Sequence, residues 1–168
     1  VIDMVFPYIP DKAFRKRTLA WNTGVDFNAA SLPADPSVID QLKAGLKGHL
    51  IAWDPVAQRE VWRVQYEHPY NGGLLSTASD LVFQGEAMGE FAAFDARTGA
   101  KRWSVATGTG IIAPPMTYLA GGEQYVAIEV GWGGVFGISQ RVTELQSPGT
   151  VYTFAIGGKA PLPAFVKY

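Results

Sequence analysis

Groups able to do acid, base or metal chemistry are thinly spread along this chain. It carries two histidines and no cysteine, so thiol nucleophiles, thiolate metal sites, disulfides and a haem attached through CxxCH are absent from these residues. His49 and His68 sit in or beside strand-like stretches with no second histidine or carboxylate cluster near them, and neither reads as a metal ligand. Asp54 and Asp95 occupy the same place in two similar segments and would suit acid and base work as a pair. A short carboxylate between a strand and a turn more often accepts backbone N–H groups and closes the turn, and that is the role expected of both. The run Gly131-Trp132-Gly133-Gly134-Val135 differs, because glycines beside an aromatic at a strand end let the backbone approach a flat ligand. A tight turn around a packed Trp would have the same sequence. Asn71, ahead of Gly72-Gly73, offers an amide at a turn and has a weaker claim of the same kind.

The elements that must position these residues repeat. Gly48-His-Leu-Ile-Ala-Trp-Asp54 with Trp62 aligns without gaps on Gly89-Glu-Phe-Ala-Ala-Phe-Asp95 with Trp103, the two tryptophans standing 41 residues apart. Each copy is a glycine, a short apolar strand, an aromatic, an Asp, a turn and a second strand opened by Trp. A repeat of about 40 residues made of strands points to a propeller of four-stranded blades. A third, decayed copy at Gly149-Thr-Val-Tyr-Thr-Phe154 lacks the Asp and Trp, as expected of a terminal repeat, so the chain is expected to reach a real end of a propeller. The opening Val1-Ile-Asp-Met4 is neither a signal peptide nor a typical initiator, and the chain is expected to start inside something longer.

Between the hairpins, Leu74 to Thr77, Leu81 to Gly85, Met116 to Leu119 and Gln124 to Val130 are short and rich in apolar or β-branched residues, and are predicted strands. Gly121-Gly122 should join the last two, since such turns need positive φ. One helix is predicted over Pro36 to Lys47, with Asp35 as N-cap, Val38, Ile39, Leu42 and Leu46 on one face and Gly48 to end it. Trp62 and Trp103 are expected to pack equivalently between blades, with truncation of either costing about 3–5 kcal/mol. Fourteen Lys and Arg against 15 Asp and Glu leave no charge footprint for nucleic acid or an anionic membrane. Arg15-Lys16-Arg17 and Lys101-Arg102 read as solvated faces. No apolar run approaches the roughly 20 residues that span a bilayer.

Ala93-Phe-Asp95-Ala-Arg-Thr98-Gly99-Ala-Lys-Arg-Trp103 resembles the tryptophan-docking motif of pyrroloquinoline-quinone (PQQ) dependent alcohol dehydrogenases. The first copy departs from it, with Gln58 where a glycine is usual. Asn71-Gly72-Gly73, Leu81-Val-Phe-Gln-Gly85, Pro114-Pro-Met-Thr-Tyr118, Gln124-Tyr-Val126 and Gly131-Trp-Gly-Gly134 follow in the family's order, and the opening stretches Tyr8 to Lys12 and Ala20 to Gly24 are similar too. Tyr70 stands where the family more often has Trp. The resemblance implies an all-β fold, about three four-stranded blades of an eight-bladed propeller with one inserted helix, residues 1–168 being the C-terminal portion of a single domain whose upstream blades lie outside the chain.

It further implies a periplasmic enzyme oxidising an alcohol to an aldehyde or ketone with PQQ and Ca2+, the Asp base, calcium ligands and stacking Trp falling upstream of Val1. No catalytic or metal residue is therefore assigned. Asn71, Trp132, Gly133 and Val135 are the implied cofactor-side residues. The implied partners are the other blades, a small-molecule alcohol and an electron acceptor such as a cytochrome, with haem c possible in the parent. Two rivals are a non-catalytic propeller scaffold of the outer-membrane assembly type and an independent binding module. The scaffold has no reason to keep the glycine-rich segments, and the module would leave strand edges unpaired.

Overall fold

The computed structural model describes residues 12–16, 18, 24, 37, 41, 44, 45, 47–69, 71–131 and 149–163. The chain divides into two compact units, Val1–Leu46 and Lys47–Tyr168. In the first, Ser37, Gln41, Ala44 and Gly45 are helical, within the predicted helix. Lys47 is not helical, and Gly48 opens a strand instead of capping a helix.

Among the described residues the second unit has nine strands: β1 Gly48–Asp54, β2 Arg59–Tyr66, β3 Leu74–Ser76, β4 Leu81–Gly85, β5 Glu90–Asp95, β6 Lys101–Ala106, β7 Met116–Ala120, β8 Glu123–Val130 and β9 Thr150–Ala155. They form three antiparallel sheets in the orders β1-β2, β3-β4-β5-β6 and β7-β8-β9. Among the described residues, only the middle sheet has the expected four strands. In the register of the repeat, helical Gln41 and Ala44 fall where the first sheet's counterpart of β4 would be. In the third, aligning Phe154 on Phe94 puts Pro161 at the start of the fourth-strand position and Pro163 two residues on, and proline has no N–H to give a ladder.

The repeat is exact in register. Ala52 pairs with Trp62 and Ala93 with Trp103, and each ladder slips at the next residue, between Ala52 and Trp53 and between Ala93 and Phe94. Gln58 and Gly99, also equivalent, take φ of 51° and 73°. The family's usual glycine therefore answers a left-handed backbone, which Gln58 adopts at a cost of about 1–2 kcal/mol. Gly121 and Gly122, at 59° and 82°, make the predicted turn of the β7–β8 hairpin.

Strand alternation makes the middle sheet a two-sided core layer. Ala92 and Phe94 join Leu50 and Tyr66 of the first sheet, with Trp62 and Val64 against them. Phe91 faces the other way, to Ile111, Ile128 and Val130, with Phe83, Val105, Tyr152 and Phe154 alongside. Phe91 and Phe94 are both fully buried, so the four consecutive buried residues of β5 are what a strand sandwiched between two neighbours requires.

Trp62 and Trp103 are equivalent in register but not in surroundings, contrary to expectation. Trp62 lies on the turn of the middle sheet: its Nε1 donates to Ala96 O at 3.0 Å, and a Cβ on Gly99 would stand 2.7 Å from its ring. Trp103 meets Phe91 and Phe154 edge-on, at centroid distances of 5.8 and 5.3 Å, and remains 41% exposed. The third sheet offers it no Asp-closed turn, since Ala155 replaces the Asp and the chain bends at once through Gly158 N to Ala155 O.

Candidate functional site

Strand directions sort the connections into two groups. The links between sheets, residues 67–73 and 107–115, the β4–β5 turn at 86–89 and the exit from β8 at Gly131 all fall at one end of the sheets; the turns after β1, β3, β5 and β7 fall at the other. The second group holds the repeated carboxylates. Asp54 Oδ1 accepts from Val56 N and Ala57 N at 2.9 and 3.0 Å, and Asp95 Oδ1 accepts from Arg97 N and Thr98 N, both at 3.0 Å. Arg102 also holds Asp95 at 2.7 Å. That bond, assisted by the two backbone donors, draws the Asp95 carboxyl down to about 2. Both aspartates close turns, as expected.

The first group brings together the two segments singled out for a flat ligand. Gly131 forms a parallel bridge with Ile111 and its N–H donates to Gly110 O at 2.9 Å. Gly72 lies on the other side of the same strip, so that a Cβ there would stand 2.8 Å from Ala113 O and 3.4 Å from Ile111 O. Residues 71–73, 110–113 and 131 are thus one continuous surface. Asn71, half-buried, donates through Nδ2 to His68 O at 3.2 Å and accepts at Oδ1 from Ala87 N at 3.1 Å, which leaves one N–H and one lone pair. Trp132, Gly133 and Val135 lie outside the described residues.

A buried polar chain supports this surface. Tyr66 OH donates to Gln84 Oε1 at 2.8 Å, Gln84 Nε2 donates to Gly72 O at 2.8 Å, and Gly72 N donates to Gly85 O at 2.8 Å. Burial, reinforced by the charges of Glu86 and Glu90, pushes the Tyr66 phenol well up. Burial, then Glu90, likewise raises the Glu86 carboxyl. Glu90 is itself held low, the bonds from Lys101 at 2.6 Å and from Ser104 outweighing its burial. Sequence reading missed Tyr66 and Gln84. The available signal was a glutamine inside the apolar run Leu81-Val-Phe-Gln-Gly85, a polar side chain that needs buried partners.

The Cβ positions of Gly72 and Gly73 point at protein, Gly73 meeting Pro114 Cβ at 2.7 Å, so these glycines serve close packing of the strip. Among the described residues this end presents the Asn71 amide, backbone, apolar side chains, half-buried His68 and Glu86, and the ion pair of Lys47 with exposed Glu67 at 3.0 Å. That suits a wall beside a planar polycarboxylate, with Lys47 already engaged by Glu67.

Blade-like sheets in series, packed face to face with their links at one end, define the class as a β-propeller segment. The family described as "PQQ: Glucose/ethanol/alcohol dehydrogenase, beta-propeller domain" matches residues 43–126, and the chain belongs to it. It is similar to the quinohemoprotein alcohol dehydrogenase of Comamonas testosteroni, 50% identical over 87% of this chain and 19% of that protein. It is also similar to the 1-butanol dehydrogenase (cytochrome c) of Thauera butanivorans, 51% identical over 89% of the chain and 20% of the relative. The crystallographic quinohemoprotein alcohol dehydrogenase ADHIIG of Pseudomonas putida superposes with a TM-score of 0.80 at 35% identity, covering 97% of this chain and 24% of the other. The chain thus spans about a fifth of the length of these relatives. Their names are those of dehydrogenases, which does not favour the scaffold reading.

Proposed function

We propose that this chain is the C-terminal portion of the propeller of a periplasmic PQQ-dependent alcohol dehydrogenase, supplying scaffold and part of the wall of the cofactor and substrate cavity. The observation that carries the reading is the joining of residues 71–73 to Gly131 through Ile111 at the linking end of the sheets, within a chain of the PQQ dehydrogenase propeller family. PQQ, when bound, takes up the two electrons released as the alcohol becomes an aldehyde or ketone. The residues of this chain that would hold it are Asn71, through its spare N–H and lone pair, and Trp132, Gly133 and Val135. Buried Ile111 and Val130 exclude water behind that wall. Trp62, in the tryptophan-docking role, locks the first sheet to the second. The base, the calcium ligands and, where present, haem c belong to the rest of the parent protein, which passes electrons to an acceptor such as a cytochrome.

The test is PQQ-dependent dye reduction by the longer protein carrying this segment. Alcohols should support it after reconstitution of the apo protein with PQQ and Ca2+, and Trp132→Ala should reduce PQQ retention more than unfolding temperature. Failure of any alcohol to support reduction by the reconstituted protein would overturn the assignment.

A further inference from the structure

Gln84 is a buried amide whose two polar atoms join the first sheet to the surface at the linking end. It is 8% exposed, and its side chain leaves β4 toward the face that packs on the first sheet. Its partners are the Tyr66 hydroxyl at the end of β2 and the Gly72 carbonyl in the link between the sheets, both at 2.8 Å. The order of the bonds is directional. The Gly72 carbonyl can only accept, so Gln84 must turn Nε2 toward it and Oε1 toward Tyr66, and Oε1 there takes the phenolic proton. Replacing the hydroxyl with hydrogen leaves Oε1 buried without that partner and loosens the hold that keeps Nε2 on the Gly72 carbonyl.

Gly72 has little freedom of its own, held also by its N–H on Gly85 O at 2.8 Å. Neighbouring Asn71 is tied to Ala87 N in the β4–β5 turn. Displacing the Gly72 carbonyl therefore moves the link as a piece, including the Asn71 amide and the contact with Ile111. We infer that Gln84 is a positioning residue for the wall formed by residues 71–73, acting through the Gly72 carbonyl, with Tyr66 anchoring the other end of its amide. The inference rests on the reading of this wall as part of the PQQ cavity.

The experiment uses the longer protein in its apo form and three variants, Gln84→Leu, Tyr66→Phe and Asn71→Ala. PQQ affinity per folded molecule is read by fluorescence titration, and the unfolding temperature of each apo form is measured beside it. Gln84→Leu and Tyr66→Phe should each weaken PQQ binding about five- to tenfold, the worth of one lost hydrogen bond. A merely structural pair would lower the unfolding temperature and leave that affinity unchanged. If Gln84→Leu fails to fold, Tyr66→Phe still decides. Loss of affinity in Asn71→Ala with none in the other two overturns the inference and leaves the cavity reading standing. Unchanged affinity in all three overturns both. Loss in Gln84→Leu and Tyr66→Phe supports the inference whatever Asn71→Ala does.

Discussion

Substituting Gly99 with Ala tests the packing of the first sheet on the second at one atom. Gly99 takes a φ of 73°, where an L-side chain costs about 1–2 kcal/mol. The new Cβ would stand 2.7 Å from Cε3 and 2.9 Å from Cδ2 of Trp62, too close for a ring already held by its bond to Ala96 O. Overpacking of this kind adds about 1–3 kcal/mol. At about 2–4 °C per kcal/mol for a chain of this size, Gly99→Ala should lower the unfolding temperature by about 5–15 °C. Gln58→Gly is the matched control, since Gln58 holds the same left-handed backbone at 51° and its side chain is exposed. Relief of the strain should raise the unfolding temperature by a few degrees. Calorimetry, with tryptophan fluorescence to follow the Trp62 environment, reads both. A shift under 2 °C for Gly99→Ala with unchanged fluorescence would refute the contact between the two sheets.

Trp62→Ala should cost about 3 kcal/mol, because it removes a docked ring and a hydrogen bond. Trp103→Ala, whose ring is 41% exposed and held by edge contacts, should cost about 1–2 kcal/mol; urea unfolding of the two side by side checks the order. Glu86 has a raised carboxyl pKa through burial and Glu90, so its ionised form opposes folding and stability falls as pH rises through its folded value. Glu86→Gln should therefore stabilise the protein at pH 7, and the gain should vanish in scans below about pH 4, the unfolded carboxyl range. The 168-residue chain by itself, given PQQ, Ca2+ and an acceptor dye, should reduce no dye above a protein-free control.

The fold was legible where local rules act alone. Short stretches rich in apolar or β-branched residues located β4 to the residue and β3, β7 and β8 to within one. Asp54 and Asp95 were legible as turn closers because an Asx turn is made within three residues of its own carboxylate. The unequal fates of Trp62 and Trp103 were not, because a docking tryptophan is buried by the next sheet's turn and the third copy has Ala155 for the Asp. The three-stranded third sheet followed from residues beyond the repeat, the prolines after β9. At the candidate site, Asn71 and Gly131 were visible as a glycine-rich pattern, but their meeting through Ile111 is a long-range contact with no periodic trace. The Tyr66–Gln84–Gly72 chain joins two strands and a link in separate parts of the sequence, and only the glutamine within β4 hinted at it.

We propose that the linking end of these sheets, and not the end with the Asp-closed turns, faces the cofactor. Hydrogen exchange of the longer protein with and without PQQ tests it in one measurement. PQQ should slow exchange in peptides covering residues 71–73, 86–89, 107–113 and 131–135, and leave those covering 54–59, 77–80, 95–101 and 120–123 unchanged. Protection confined to the second set, or to neither, would contradict the account.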